Sequence, residues 1–213
     1  MRATLDKLIS WTGILLALVL LVAGGLLTWG ATFIGDQVDQ QFGDQDITMP
    51  TKEAIEADES LSDEDRDTLM EFEGTTLDNG PKARAYADHY IKAHMEASTF
   101  GVKAALEEKG VNTDEMTFPL TYESAGGVAR AVEADTELNE ADKAELLEAV
   151  GANRDSLFKG NTLRGLLLYG YAFATMGTIA GYAAIGAFVG AALFLILGIL
   201  GLVHARKAAE ARV

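Results

Sequence analysis

The sequence predicts an all-α membrane protein in which two transmembrane helices enclose a small, acidic, mainly helical extracytoplasmic domain, the second helix extending beyond the membrane. Three observations carry this reading. Residues 8–34 and 165–203 contain no Asp, Glu, Lys, Arg or His, and each run exceeds the roughly 20 residues an α-helix needs to cross about 30 Å of hydrocarbon. The net charge is −15 over 213 residues, yet residues 36–159 alone hold 30 acidic against 11 basic side chains. Between the apolar runs, helix caps and three-to-four-residue periods recur, without the alternation of a strand or any internal repeat.

The first apolar run is longer than the 7–15 residues of a secretory h-region and shows no small-x-small cleavage site before its polar boundary, so a retained signal anchor is expected. Trp11 and Trp29 lie 18 residues apart. At 1.5 Å per residue that is about 27 Å, one indole for each interface. Arg2 and Lys7 precede this run, Arg206, Lys207 and Arg212 follow the second, and residues 35–50 contain no Lys or Arg. By the positive-inside rule both termini are expected in the cytoplasm. The expected organisation is a cytoplasmic segment 1–7, a span 8–34, an acidic helical domain 35–162, a long helix 163–203 and a cytoplasmic tail 204–213.

The second apolar run is too long for one crossing. A continuous helix over residues 162–204 would measure about 63 Å, twice the hydrocarbon thickness. With His204 and Arg206 at the inner face, counting back one span puts the outer interface near Tyr182, so about 182–203 is expected in the membrane. Residues 163–181, with Tyr169, Tyr171 and Phe173, then stand above the bilayer or tilt through its outer leaflet, and an apolar helix there needs cover. Gly177/Gly181 and Gly186/Gly190 form two G-x-x-x-G pairs, extended by Gly170, Ala174, Ala184, Gly198 and Gly201, which let backbones approach closely in lipid. The helix they contact is either the chain's own first helix, through Gly24 and Gly25, or a partner's.

In the acidic domain, residues 52–72 have sparse apolar positions and an N-cap at Ser62, and read as a weakly held surface segment. Pro81 opens an amphipathic helix to Ser98, with Ala83, Tyr86, Ala87, Tyr90, Ile91 and His94 at spacings of three and four. A separate helix is expected over 100–109, ended by Gly110, then a loop over 113–122 and helices over 125–134 and 139–150, the last capped by Asn139. The apolar content is thin, so the domain is expected to draw on the top of the second helix for its core.

Little in the chain is suited to chemistry. The absence of cysteine excludes disulfides, thiolate metal sites, c-type haem attachment and iron–sulfur ligation. His89 and His94 are five apart, about 140° around an α-helix, and do not share the i, i+4 face of a chelating pair. Asp88 or Glu96 beside one of them is the alternative metal set, and a packing role is the expectation. Ser98, Ser124 and Ser156 lack a nucleophile-elbow context, and neither span carries a charge to relay protons. No catalytic, cofactor or metal residue is expected, and the acidic surface disfavours nucleic acid.

The opening LDKLISWTGILLALVLLVAGGLLTWGATFI, the segment AYADHYIKAHM and the run LFKGNTLRGLLLYGYAFATMGTIA resemble actinobacterial two-span membrane proteins often filed under an aromatic ring-opening dioxygenase label. This is the family of the respiratory supercomplex association factor found with the cytochrome bcc–aa3 (complex III–IV) assembly. The dioxygenase label does not fit a chain whose histidines are only His89, His94 and His204, because a non-haem iron site needs a facial set of histidine and carboxylate ligands. The resemblance implies a non-catalytic accessory subunit without cofactors, whose partners are the subunits of the bcc and aa3 complexes and the lipid bilayer. In that role Tyr169, Tyr171 and Phe173 would anchor a partner, Gly177, Gly181, Gly186 and Gly190 would make the close helix contact, and Trp11, Trp29 and Tyr182 would mark the interfaces. The alternatives are an envelope sensor or ligand-binding membrane protein and a metal-dependent enzyme.

Overall fold

The computed structural model describes residues 2–210, so Arg212 lies outside the described residues. It is all-helical: α1 (Arg2–Gly43), α2 (Lys52–Ala57), α3 (Asp63–Met70), α4 (Gly80–Ala85), a π-helical turn (Tyr86–Ile91), α5 (Lys92–Glu108), α6 (Tyr122–Ala134) and α7 (Glu140–Glu210). The one extended pairing among the described residues is an isolated antiparallel bridge between Thr48 and Thr76. The chain divides into two compact units, one of residues 1–39 with 173–213 and one of residues 40–172.

In the first unit α1 and α7 pair antiparallel. Both helices are long and apolar enough to cross a membrane. Their seam is set by small residues at every seventh position: Ser10, Ala17 and Gly24 on α1, and Gly177, Ala184, Ala191, Gly198 and Ala205 on α7, are all buried. A seven-residue repeat keeps one seam facing the partner helix in left-handed packing. Small side chains on that seam let the backbones close in. Leucines, phenylalanines and isoleucines fill the outward faces, among them Leu15, Leu26, Ile185 and Leu193, all exposed.

The second unit has its largest core among α5, α6 and the start of α7. Val102, Leu106, Leu120, Ala125, Val128, Val132, Leu146, Val150 and Leu157 form one buried cluster. Three of these nine come from α7, and Leu167 further along it is also buried. The helix ends are well specified. Gly110 (φ +80°) follows α5 in a left-handed conformation, with Gly110 N–H donating to the Glu107 carbonyl and Val111 N–H to the Leu106 carbonyl, a Schellman stop that Gly tolerates without strain. Thr121 and Ser124 cap the start of α6 reciprocally, and Asn139 Oδ1 accepts from Ala141 and Asp142 N–H at the start of α7.

Several local expectations are revised. Residues 52–72 are not a loosely held surface: Ile55, Leu61 and Leu69 are buried, and Ser62 and Asp65 form a capping box on α3. Helices expected over 81–98 and 100–109 are one uninterrupted helical run from Gly80 to Glu108. The helix expected to stop at residue 150 does not stop, because no proline interrupts residues 140–210; Gly160 lies within it against the Met95 side chain. On the other side, α1 runs nine residues past its apolar segment to Gly43 and buries Phe42.

Candidate functional site

The glycine pairs come first, because they were expected to mark a helix contact. A Cβ on Gly177 would stand 3.0 Å from Ile34 Cγ2, one on Gly190 would stand 3.2 Å from Leu20 Cδ1, and one on Gly181 would reach Ala31 Cβ at 4.0 Å. Gly24 receives the Phe188 ring, whose Cε1 lies 2.9 Å from the Cβ position. At Gly198 a Cβ would meet Ile14 Cγ1 at 2.8 Å and the Ser10 carbonyl oxygen at 3.0 Å, and Gly201 lies closer still to the Ser10 hydroxyl. Three of the four nominated glycines thus face the chain's own α1, while Gly186, like Gly25, has nothing within 4 Å. The buried seam follows the seven-residue repeat Gly177, Ala184, Ala191 and Gly198 rather than the G-x-x-x-G spacing.

The aromatic anchors occupy outward positions. Trp11, Trp29 and Tyr182 are all exposed, and Trp29 stacks on Phe33 with centroids 5.7 Å apart. Gly181 faces Ala31, so Tyr182 and Trp29 fall within one helical turn of the same level of the pair. At the opposite end Gly201 lies against Ser10, next to Trp11.

The three aromatics proposed as a partner anchor separate into two kinds. Tyr171 is engaged inside the second unit: the Arg84 guanidinium lies over its ring at 5.3 Å and donates to its hydroxyl at 3.2 Å. Nearby, Arg164 donates to the Ala87 carbonyl at 2.9 Å and to Asp88 at 2.8 Å, and Phe42 packs against Gly170. The Arg84 and Arg164 contacts fix α7 to the helical run that starts at Gly80, and the Phe42 contact fixes it to the end of α1. Tyr169 and Phe173 are free of that framework, 69% and 55% exposed. Within the second unit, Tyr169 lies with Phe158 and Leu166, also exposed, inside about 80° of arc on α7 at 100° per residue. Tyr122 extends this strip, its ring 5.9 Å from Phe158 and under the Arg154 guanidinium at 4.2 Å.

The two histidines meet one segment. His89 Nδ1 is 2.8 Å from Asp65 Oδ1, and His94 Nε2 is 3.0 Å from Asp58 Oδ2. In an α-helix their five-residue spacing would spread them widely. The π-helical turn Tyr86–Ile91, closed by Lys92 N–H donating to the Ala87 carbonyl, widens the turn and brings both to the α2–α3 segment. Tyr86 stacks on Tyr90 at 4.9 Å, and the His94 ring lies tilted against Tyr90 at 4.3 Å. His94 Nδ1 also lies 2.7 Å from the Tyr90 carbonyl oxygen; both partners of this ring accept, so both bonds form only with a proton on each nitrogen. Asp65 Oδ2 accepts from the Ser62 hydroxyl and N–H at 2.6 and 3.1 Å, and Asp58 accepts from the Ser60 hydroxyl and N–H. Burial opposes ionisation of both carboxyls, but the serine hydrogen bonds and the facing histidines outweigh it and hold both below the ordinary Asp value. An open polar groove of about 780 Å³ runs beside His89, between Glu59, Glu64 and Lys92. Among the described residues no group of three or more His, Asp or Glu side chains is placed to hold a metal ion, and Asp88 and Glu96 are directed elsewhere, Asp88 to Arg164.

Compared with protein-family models, curated proteins and solved structures, the chain matches none.

Proposed function

We propose that this chain is a two-span membrane protein, with both termini cytoplasmic and the acidic unit extracytoplasmic, that serves as a non-catalytic association subunit of an actinobacterial cytochrome bcc–aa3 respiratory supercomplex. The observation that carries the reading is the exposed apolar strip Phe158, Leu166 and Tyr169 on α7. Its upper part lies among water-seeking groups: Asp155, Lys159 and Arg164 are on the same turns, and Gly170 packs on Phe42, which Gln40, Gln41 and Asp44 flank. These polar neighbours support a position for it outside the lipid. Aromatic and aliphatic side chains left in water over several helical turns are a protein contact surface.

The antiparallel hairpin supports the membrane assignment. Trp29 and Tyr182 sit at one level and Trp11 and Gly201 at the other, so the two apolar stretches cover the same band. Lys7, Arg206 and Lys207 lie at the end shared by the termini, which the positive-inside rule places in the cytoplasm. The identity of the partner rests on the sequence resemblance. A subunit of that kind needs outward contact surfaces and no reaction centre of its own.

The test is affinity purification of the tagged chain in mild detergent, with haem spectra and mass spectrometry of what accompanies it. Haem b, c and a signals in fixed proportion with bcc and aa3 subunits are the expected result. A haem-free preparation across several gentle detergents would overturn the reading and bring forward a ligand-binding role for the polar groove beside His89.

A further inference from the structure

Cations in the acidic unit are almost all taken by its own carboxylates. Residues 36–159 hold 11 basic side chains, and nine of them lie within 3.8 Å of an Asp or Glu oxygen. Among the described residues the other two, Arg130 and Arg154, meet no carboxylate, although the same stretch holds 30 of them. Arg130 is exposed on α6. Arg154 is half-buried and held in place: its guanidinium lies over the Tyr122 ring at 4.2 Å, its Nε–H donates to the Tyr122 carbonyl at 3.3 Å, and its Cζ is 3.5 Å from where a Cβ on Gly126 would stand. That bond occupies Nε and leaves the two Nη groups, which can meet a carboxylate side by side.

Arg154 also lines a cavity of about 310 Å³ with Tyr122, Gly151, Asp155 and Phe158. The Asp155 carboxylate is neutralised by Lys159. What remains is two aromatic walls and one guanidinium without a counter-ion. Phe158 is the outer end of the exposed strip that continues through Leu166 and Tyr169, so a protein lying on the strip reaches Arg154. A side chain fixed before binding loses little freedom on pairing, and a close charge pair shielded from water contributes strongly at an interface. We propose that Arg154 receives an Asp or Glu side chain of the partner protein that covers this strip, with an apolar neighbour of that residue seated between Tyr122 and Phe158, a contact that presupposes the association proposed above.

Carbodiimide treatment of membranes holding the tagged full chain, followed by purification in mild detergent and mass spectrometry, tests this, because the reagent joins a lysine amine to a carboxylate in contact with it. Arg154→Lys should give a crosslink from position 154 to an identified Asp or Glu of a co-purifying subunit, and Arg130→Lys should give none. Arg154→Met should lower recovery of that subunit about tenfold or more at equal helical content, while Arg130→Met leaves it unchanged. A crosslink from position 154 only to this chain's own Asp155, no crosslink at all, or undiminished recovery with Arg154→Met overturns the proposal. The haem spectrum of the unaltered chain reads the respiratory assignment separately: haem without the crosslink removes the role of Arg154 alone, and the crosslink without haem removes the respiratory partner alone.

Discussion

Asp65 closes the capping box of α3 with one carboxylate oxygen and meets His89 with the other, so a single side chain both ends a helix and ties it to the π-helical turn. Asp58 does the same for the preceding turn with Ser60 and His94. Because both carboxyls titrate below the ordinary value when folded, their contribution is present above the unfolded value of about 3.9 and is lost as pH falls through the lower folded values. Thermal unfolding followed by far-UV circular dichroism should show the midpoint falling between about pH 5 and pH 2 in the unaltered chain and falling less in a D58N/D65N variant. An equal fall in both would contradict the linkage. At neutral pH, Asp65→Asn alone should cost about 1–2 kcal/mol, since it weakens charged hydrogen bonds in a half-buried site. The spacing of His89 and His94 was visible in the sequence. Their shared target was not, because α-helical geometry is assumed in any such count and the π-helical turn breaks it.

At the scale of the element, α1 and α7 are held by a seam that admits no side chain at its closest points. Gly24→Leu drives a side chain into the Phe188 ring, and Gly198→Leu drives one into Ile14 and the Ser10 carbonyl. Each should destabilise the pair by about 1–3 kcal/mol in a detergent unfolding titration, as overpacking does. Gly186→Leu, with open space around it, should be near neutral. Equal effects for Gly186 and Gly198 would show that the seam is placed wrongly. The existence of both long apolar helices was legible, since uncharged runs of that length allow little else. Their true ends were not: polar residues 35–43 continue α1 without a cap or proline to stop it, and residues 140–164 join α7 because its amphipathic start and its apolar remainder share one backbone. The small-residue pairs were read at a spacing of four, while packing in the helix pair selects those spaced by seven, Gly177, Ala184, Ala191 and Gly198.

For the molecule as a whole, α7 is the shared element: Leu146, Val150 and Leu157 complete the core of the second unit, and the same helix continues into the apolar pair. A soluble fragment of residues 40–172 should therefore unfold cooperatively, and one of residues 40–139 should not, which a denaturant titration by circular dichroism would check. Within the longer fragment Leu157→Ala should cost about 2–5 kcal/mol, the range for emptying a buried leucine site. The acidic region was expected to draw its core from residues beyond 163, whereas the α7 members of its cluster, Leu146, Val150 and Leu157, precede that point and only Leu167 is buried past it in this unit. The division of the aromatics was not legible either, because Tyr169, Tyr171 and Phe173 look alike in sequence and only the position of Arg84 engages Tyr171 and leaves the other two outward. Tyr169, with Leu166 and Phe158, is the surface on which the proposed association depends. The most direct test is the haem yield of tagged chain carrying Leu166→Asp and Tyr169→Asp, compared with the unaltered chain at equal recovery and equal helical content. Haem b, c and a are expected with the unaltered chain and a loss of roughly tenfold or more in the variant, the scale of two contact-surface residues. Undiminished haem in the variant would contradict this dependence.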